Sequence, residues 1–156
     1  MRGEGELTFS DILDKLDIEN AGGLDVLKDV EGLTYRGATG VVRTGNRDRI
    51  ADLNTIPSPY LTGLFDEFGS VSAGAVIETN RGCPYGCTFC DWGSATLSKV
   101  RRFELDRVYA ELEWSAKNQI QDASIADANF GMLARDVAIT EKIAELKSSY
   151  GYPRSV

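Results

Sequence analysis

Three cysteines are the residues of this chain whose type and spacing most clearly indicate chemistry. Cys83, Cys87 and Cys90 are its only cysteines, with three residues between the first pair and two between the second. Thiolates on one compact loop can each bind one iron of a cubane cluster, which leaves the fourth iron without a protein ligand. Gly82 and Gly86 allow the backbone to pass close to such a cluster, where a side chain would collide with inorganic sulfide. The loop therefore predicts an iron–sulfur site with an open iron.

Other kinds of site compete with this interpretation. A structural zinc site needs a fourth ligand, and the chain offers no histidine and no further cysteine. A closed electron-transfer cluster is normally held by four cysteines, so here it needs a missing partner or an outside ligand. An odd, clustered set of cysteines is also a poor disulfide framework. The alternatives to an enzyme are thus an iron–sulfur electron-transfer or scaffold module and a small zinc-binding domain.

The spacing of the cysteine loop, with Phe89 just before the last cysteine, resembles the signature of the radical S-adenosylmethionine (SAM) superfamily. The resemblance implies that the cysteines bind a 4Fe-4S cluster and that the amino and carboxylate groups of SAM chelate the open iron. It implies reductive cleavage of SAM to methionine and a 5′-deoxyadenosyl radical. It also places Phe89 near the adenine, and it assigns Asp127 and Asn129 to contacts with SAM or substrate.

Segments outside the loop resemble radical SAM proteins that carry a cobalamin-binding domain ahead of the barrel. The similar segments are residues 56–61, 78–82 and 91–93. In those proteins a Gly-Glu-Gly-Glu segment, here residues 3–6, closes the cobalamin domain. The resemblance therefore implies cobalamin as a further cofactor, bound mostly outside this chain, and methyl transfer as a reaction that could follow radical formation.

Apolar periodicity predicts the elements that must position these residues. Residues 75–77 form a short apolar run that leads into the cysteine loop, and residues 123–126 form another. Apolar positions at helical spacing follow each run, the first from Leu105 and the second up to Tyr150. This alternation predicts an α/β fold with parallel strands, whose carboxyl ends collect ligands. The cysteine loop and Asp127 both follow such strand ends.

The N-terminal part predicts smaller elements. A helix is expected over residues 9–16, a hairpin over 33–44 and a connector over 45–62. Together with the resemblance, residues 1–20 are interpreted as the end of a Rossmann-like cobalamin-binding domain and residues 21–70 as a linker with a hairpin. Residues 71–156 are interpreted as the N-terminal part of a (β/α)6 TIM-like radical SAM barrel, truncated because only two strand–helix units fit.

Charge and composition limit the partners of the chain. Its 17 basic and 24 acidic residues give a formal net charge of -7, which disfavours nucleic acid and anionic membrane surfaces as partners. No apolar run approaches the roughly 20 residues needed to cross a bilayer, and the N-terminus lacks signal-peptide order. We expect a cytoplasmic protein that receives electrons from a donor such as flavodoxin or ferredoxin and acts on an unknown substrate.

Overall fold

The computed structural model describes residues 1–16, 23–66, 74–90 and 98–156. The chain forms two compact units, Met1–Ala51 and Asp52–Val156. The division falls inside the predicted linker of residues 21–70. The assignment of residues 1–20 to a cobalamin-binding domain and of residues 71–156 to a barrel stays a prediction.

The first unit contains the predicted helix and hairpin. Its elements are α1 (Glu6–Lys15), a 3₁₀ helix (Leu24–Asp29), β1 (Thr34–Gly37) and β2 (Gly40–Arg43). The strands pair antiparallel from Thr34 opposite Arg43 to Gly37 opposite Gly40, so the hairpin prediction is confirmed. A small apolar cluster of Leu27, Val30 and Leu33 lies under these elements.

Helix α1 uses its apolar stripe only in part. Ile12 packs against the cluster that contains Leu27, but the side chains of Phe9 and Leu13 are more than half exposed, at 52% and 57%. The one fully buried residue of the helix is Thr8, whose hydroxyl donates to the Glu31 carbonyl at 3.1 Å. The periodicity therefore predicted the helix correctly, whereas its attachment to the unit depends on a polar contact as well.

The second unit contains the predicted alternation of strands and helices. Its elements are β3 (Ala75–Ile77), β4 (Asn80–Arg81), β5 (Arg101–Arg102), α2 (Leu105–Lys117), β6 (Ala123–Ile125) and α3 (Arg135–Tyr150), after a 3₁₀ turn at Leu53–Thr55. Strands β3 and β6 pair in parallel, with Ala75 opposite Ala123 and Ile77 opposite Ile125. The mixed α/β class and the parallel pairing are confirmed, while a (β/α)6 barrel stays a prediction.

Burial of the inward faces explains why these elements form. Ile77 on β3, Val108 and Leu112 on α2 and Ile139 on α3 are each at most 1% exposed. Complete burial of such a side chain contributes about 1.5–3 kcal/mol. Helix α3 ends at Gly151, whose φ of 77° is the left-handed conformation that glycine adopts without steric cost.

The outer face of α2 carries a charge pair. The Lys117 ammonium lies 2.7 Å from the Glu113 carboxylate, one helical turn away. Its hydrogen bond and its charge hold the pKa of Glu113 below the ordinary value. Both side chains are well exposed, so the pair belongs to the solvated surface. Among the residues that the structure describes, no helix is long and apolar enough to span a membrane.

Candidate metal centre

A short ladder that the sequence did not predict closes the cysteine loop. Strands β4 and β5 pair antiparallel, with Asn80 opposite Arg102 and Arg81 opposite Arg101. Beyond the ladder, the Ser98 amide donates to the Cys83 carbonyl at 2.8 Å, and the Cys83 amide donates to the Ser98 hydroxyl at 3.1 Å. The first cysteine is thereby fixed against the returning chain, immediately after β4.

The backbone conformation at the start of this loop requires a glycine at position 82. Its φ is +115°, and a Cβ there would lie 2.7 Å from the Lys99 carbonyl oxygen and 2.9 Å from the Ser98 hydroxyl. The expectation was that a side chain here would collide with inorganic sulfide. The described atoms give an additional reason for glycine, which is the close approach of the returning backbone.

The cysteines differ in their surroundings. All are free thiols, with Cys83 half-buried and Cys87 and Cys90 exposed. The Cys90 amide donates to the Cys87 carbonyl at 3.1 Å, which forms a turn between them. Among residues 1–16, 23–66, 74–90 and 98–156, no group of three or more His, Cys, Asp or Glu side chains is arranged to hold a metal ion.

The donor set nevertheless suits an iron–sulfur cluster. Thiolates are the ligands that such clusters take, and each thiolate of a cubane binds a different iron, so the sulfurs need not converge on one point. The exposed Cys87 and Cys90 can be approached by an incoming cluster, while Cys83 is already held by the ladder. This chemistry fits a cluster better than a single ion.

Asp127 joins the carboxyl ends of the parallel strands. Its Oδ1 accepts from the amides of Thr79 and Asn80 at 2.7 and 3.1 Å. Its Oδ2 accepts from the Thr79 hydroxyl and, at 2.6 Å, from the Asn80 side-chain amide. Thr79 and Asn80 are buried, at 0% and 1% exposure. The carboxylate is thus occupied by the segment that leads into the cysteine loop, and its predicted contact with SAM or substrate stays a prediction.

Asn129 lies directly beside the cysteine loop. Its side-chain amide nitrogen is 3.0 Å from the Sγ of Cys83, as hydrogen-bond donor. The parallel pairing of β3 and β6 therefore brings the segment after β6 to the first cysteine, as the sequence argument expected of strand ends. A contact of Asn129 with SAM or substrate remains a prediction.

The side chain of Phe89 is almost fully exposed. Its side chain is 90% exposed, and that of Tyr85 in the same loop is 51% exposed. An aromatic ring so placed presents a free face, which is what stacking on an adenine needs. The contact of Phe89 with the adenine stays a prediction.

Sequence reasoning missed two features of the site. Ser98 gave no signal, since a serine 15 residues beyond the first cysteine has no characteristic spacing. The second missed feature is Arg81, just before the cysteine loop, whose guanidinium forms two hydrogen bonds with Glu78, at 2.9 and 2.6 Å. The i,i+3 separation of that pair was the available signal.

Comparison with known proteins finds relatives of this chain among cobalamin-dependent radical SAM enzymes. No family model matches it. TokK of Streptomyces tokunonensis, a cobalamin-dependent radical SAM methyltransferase, is 41% identical over 165 residues, which cover 99% of this chain and 23% of TokK. The chain thus spans about a quarter of the length of this relative.

Solved structures agree with the sequence match. OxsB, a cobalamin-dependent SAM radical enzyme solved with aqua-cobalamin and SAM, superposes with a TM-score of 0.58 at 25% identity, covering 92% of this chain and 20% of OxsB. TsrM of Kitasatospora setae, a radical SAM methyltransferase solved with cobalamin and a [4Fe-4S] cluster, gives a TM-score of 0.61 at 16% identity. That second match covers 98% of this chain and 31% of TsrM, and it supports the fold alone.

Proposed function

This chain belongs to the radical SAM superfamily, with cobalamin-dependent methyltransferases among its homologues, and we propose that it carries the cluster-binding segment of such an enzyme. Cys83, Cys87 and Cys90 would hold a 4Fe-4S cluster. The observation that carries the proposal is the position of their loop. It follows β3 at the carboxyl end of a parallel strand pair, where ligands collect in folds of this type.

The cluster, when bound, supplies the electron that cleaves the sulfonium bond of SAM. The chain itself contributes positioning. Ser98 fixes the backbone of Cys83 on both sides, and Asp127 holds the strand end before it. These contacts fix the first cluster ligand before any cluster arrives, which reduces the conformational entropy that binding must remove.

SAM and cobalamin are the further cofactors that we propose. SAM would occupy the side of the loop that bears Phe89, with the adenine against the exposed ring. Cobalamin would be held mostly by residues outside this chain. Methyl transfer is the proposed reaction, because TokK is named a methyltransferase and is 41% identical over nearly the whole chain. A flavodoxin or ferredoxin would supply electrons in the cytoplasm.

Anaerobic reconstitution with iron and sulfide tests the proposal. We expect a brown protein with bound iron and sulfide, whose reduced-cluster electron paramagnetic resonance (EPR) spectrum changes when SAM is added. Cys87→Ala should lose the cluster and the 5′-deoxyadenosine formed under strong reductant. Thr88→Ala is the matched control, because Thr88 is an exposed residue of the same loop without a thiol, and it should keep both.

Different results would point to the competing functions. A cluster whose spectrum is unchanged by SAM would indicate an electron-transfer or scaffold module. A colourless protein that retains one zinc would indicate a zinc-binding domain. Metal content that is the same with and without Cys87 would remove the basis for a cluster on this loop.

A further inference from the structure

We propose that Asn129 is a positioning residue that holds the sulfur of Cys83 and raises the reduction potential of the cluster. The inference rests on the proposed function, because it needs the cluster on Cys83. It gives Asn129 a partner within the chain itself, in place of a contact with SAM or substrate. The carrying observation is the distance of 3.0 Å from the Asn129 amide nitrogen to the Cys83 Sγ.

Both members of this contact are also held in place by other hydrogen bonds. Cys83 is held by its backbone hydrogen bonds to Ser98, on the returning strand of the loop. Asn129 lies two residues after Asp127, whose carboxylate is bound to Thr79 and Asn80. The contact between residues 46 positions apart thus lies between two segments that the Asp127 hydrogen bonds already hold together. Such preorganisation lets a hydrogen bond form without a large loss of entropy.

The amide has a defined electrostatic effect on the sulfur. A thiolate ligand carries negative charge, and a donated N–H stabilises that charge. Reduction of a cluster adds further negative charge, part of which lies on the sulfurs. A donor to a ligand sulfur therefore favours the reduced state, and hydrogen bonds to the sulfurs are among the factors that set cluster potentials.

The contact also makes the cysteines unequal. Cys83 is half-buried with a side-chain amide on its sulfur, whereas Cys87 and Cys90 are exposed. A hydrogen bond in a less solvated position is stronger than one in water, so its removal has a larger electrostatic effect. The iron bound by Cys83 is thus the one whose environment this chain controls most directly.

The test is an EPR-monitored redox titration of the reconstituted chain and its variants. Asn129→Leu removes the donor at similar size, Asn129→Asp replaces it with a carboxylate, and Asn129→Gln keeps an amide. We expect the potential to fall in the Leu variant and further in the Asp variant, with Gln nearest to wild type. At the wild-type midpoint potential, half of the wild-type clusters are reduced. At the same potential, clearly less than half of the clusters in the Leu variant should be reduced.

Asn118→Leu is the matched control. The Asn118 side-chain amide donates to the Trp114 carbonyl at the end of α2, so its removal costs a comparable hydrogen bond without touching the loop. This control should keep the wild-type potential and EPR spectrum. Equal potentials in wild type, Asn129→Leu and Asn129→Asp would overturn the inference while leaving the cluster in place.

Loss of the cluster is also informative. If the Leu and Asp variants lose it while Asn129→Gln retains it, the amide donor is needed to hold the ligand, which supports the positioning role. If Asn129→Gln loses it as well and Asn118→Leu does not, side-chain size decides and the inference is wrong. Failure of the wild-type chain to bind any cluster would instead overturn the proposed function, and the inference with it.

Discussion

The two ends of the cysteine loop differ in how firmly the protein holds them. At its start, the Cys83 amide donates to the Ser98 hydroxyl, the Cys83 carbonyl accepts from the Ser98 amide, and the Cys83 sulfur accepts from Asn129. At its far end, Cys87 and Cys90 are exposed, and a single turn hydrogen bond between their backbones is described. One ligand is therefore in place before a cluster binds, while the other two are free to adjust.

This difference suggests an order of assembly. A preformed first ligand reduces the entropy lost on binding, and adjustable ligands let the loop close around a cluster of fixed size. The comparison also separates two kinds of substitution. Changes near Cys83 should alter the stability of the fold, whereas changes near Phe89 should alter only what the loop binds.

Gly82→Ala should have the largest effect on the fixed end. The new Cβ would lie 2.7 Å from the backbone oxygen of Lys99, and backbone atoms cannot move apart without a large cost. The φ of +115° is itself unfavourable for alanine. We expect unfolding free energy to fall by about 3 kcal/mol and cluster content to drop with it. Urea unfolding and iron analysis measure both quantities.

Gly131→Ala is its matched control. Gly131 also has a positive φ, +92°, but nothing lies within 4 Å of its Cβ position. It should therefore lose only the backbone term, about 1–2 kcal/mol. Equal losses in the two alanine variants would show that crowding by the returning strand is unimportant.

Asp127→Asn should have the next largest effect. An amide group in place of one oxygen would face donors from Thr79 and Asn80, which are buried. The expected loss in unfolding free energy is about 2–3 kcal/mol, measured by urea titration. Asp106→Asn, at an exposed position in the first turn of α2, should change it by no more than about 0.5 kcal/mol. A neutral result at Asp127 would contradict its role in joining β3 and β6.

Ser98→Ala should have a moderate effect. It removes the hydroxyl that accepts a hydrogen bond from the Cys83 amide at 3.1 Å. The hydrogen bond from the Ser98 amide to the Cys83 carbonyl stays in place. We expect a loss of about 1 kcal/mol in thermal or urea unfolding. Ser148→Ala on the exposed face of α3 should be close to wild type. Equal unfolding free energies of the two serine variants would show that Ser98 does not hold this end of the loop more firmly.

Phe89→Ser should have the smallest effect on stability. Its side chain is 90% exposed, so unfolding free energy should change by less than about 0.5 kcal/mol. The predicted stacking on adenine gives a separate readout, because its loss should weaken SAM binding to the reconstituted chain about tenfold. Val137→Ser, at another exposed apolar position, should leave SAM binding unchanged. An unaltered SAM affinity in Phe89→Ser would contradict the predicted contact between Phe89 and the adenine.

Local patterns predicted the elements well. The helices α2 and α3, the parallel strands β3 and β6 and the hairpin β1–β2 all follow from apolar periodicity and turn residues. The ladder of β4 and β5 was not predicted, because strands of two residues carry no periodicity. The exposed stripe of α1 likewise could not be foreseen, since periodicity shows that a face is apolar but not what covers it.

The sequence by itself determined the ligand set: the number of thiols, their spacing, the absence of histidine, and the strand that leads into their loop. Only the tertiary structure decided which thiol accepts a hydrogen bond from a side-chain amide and which carboxylate joins the strand ends. The physical reason is distance along the chain. Asn129 and Cys83 are 46 residues apart, and their contact depends on the register of two parallel strands, which no local pattern encodes.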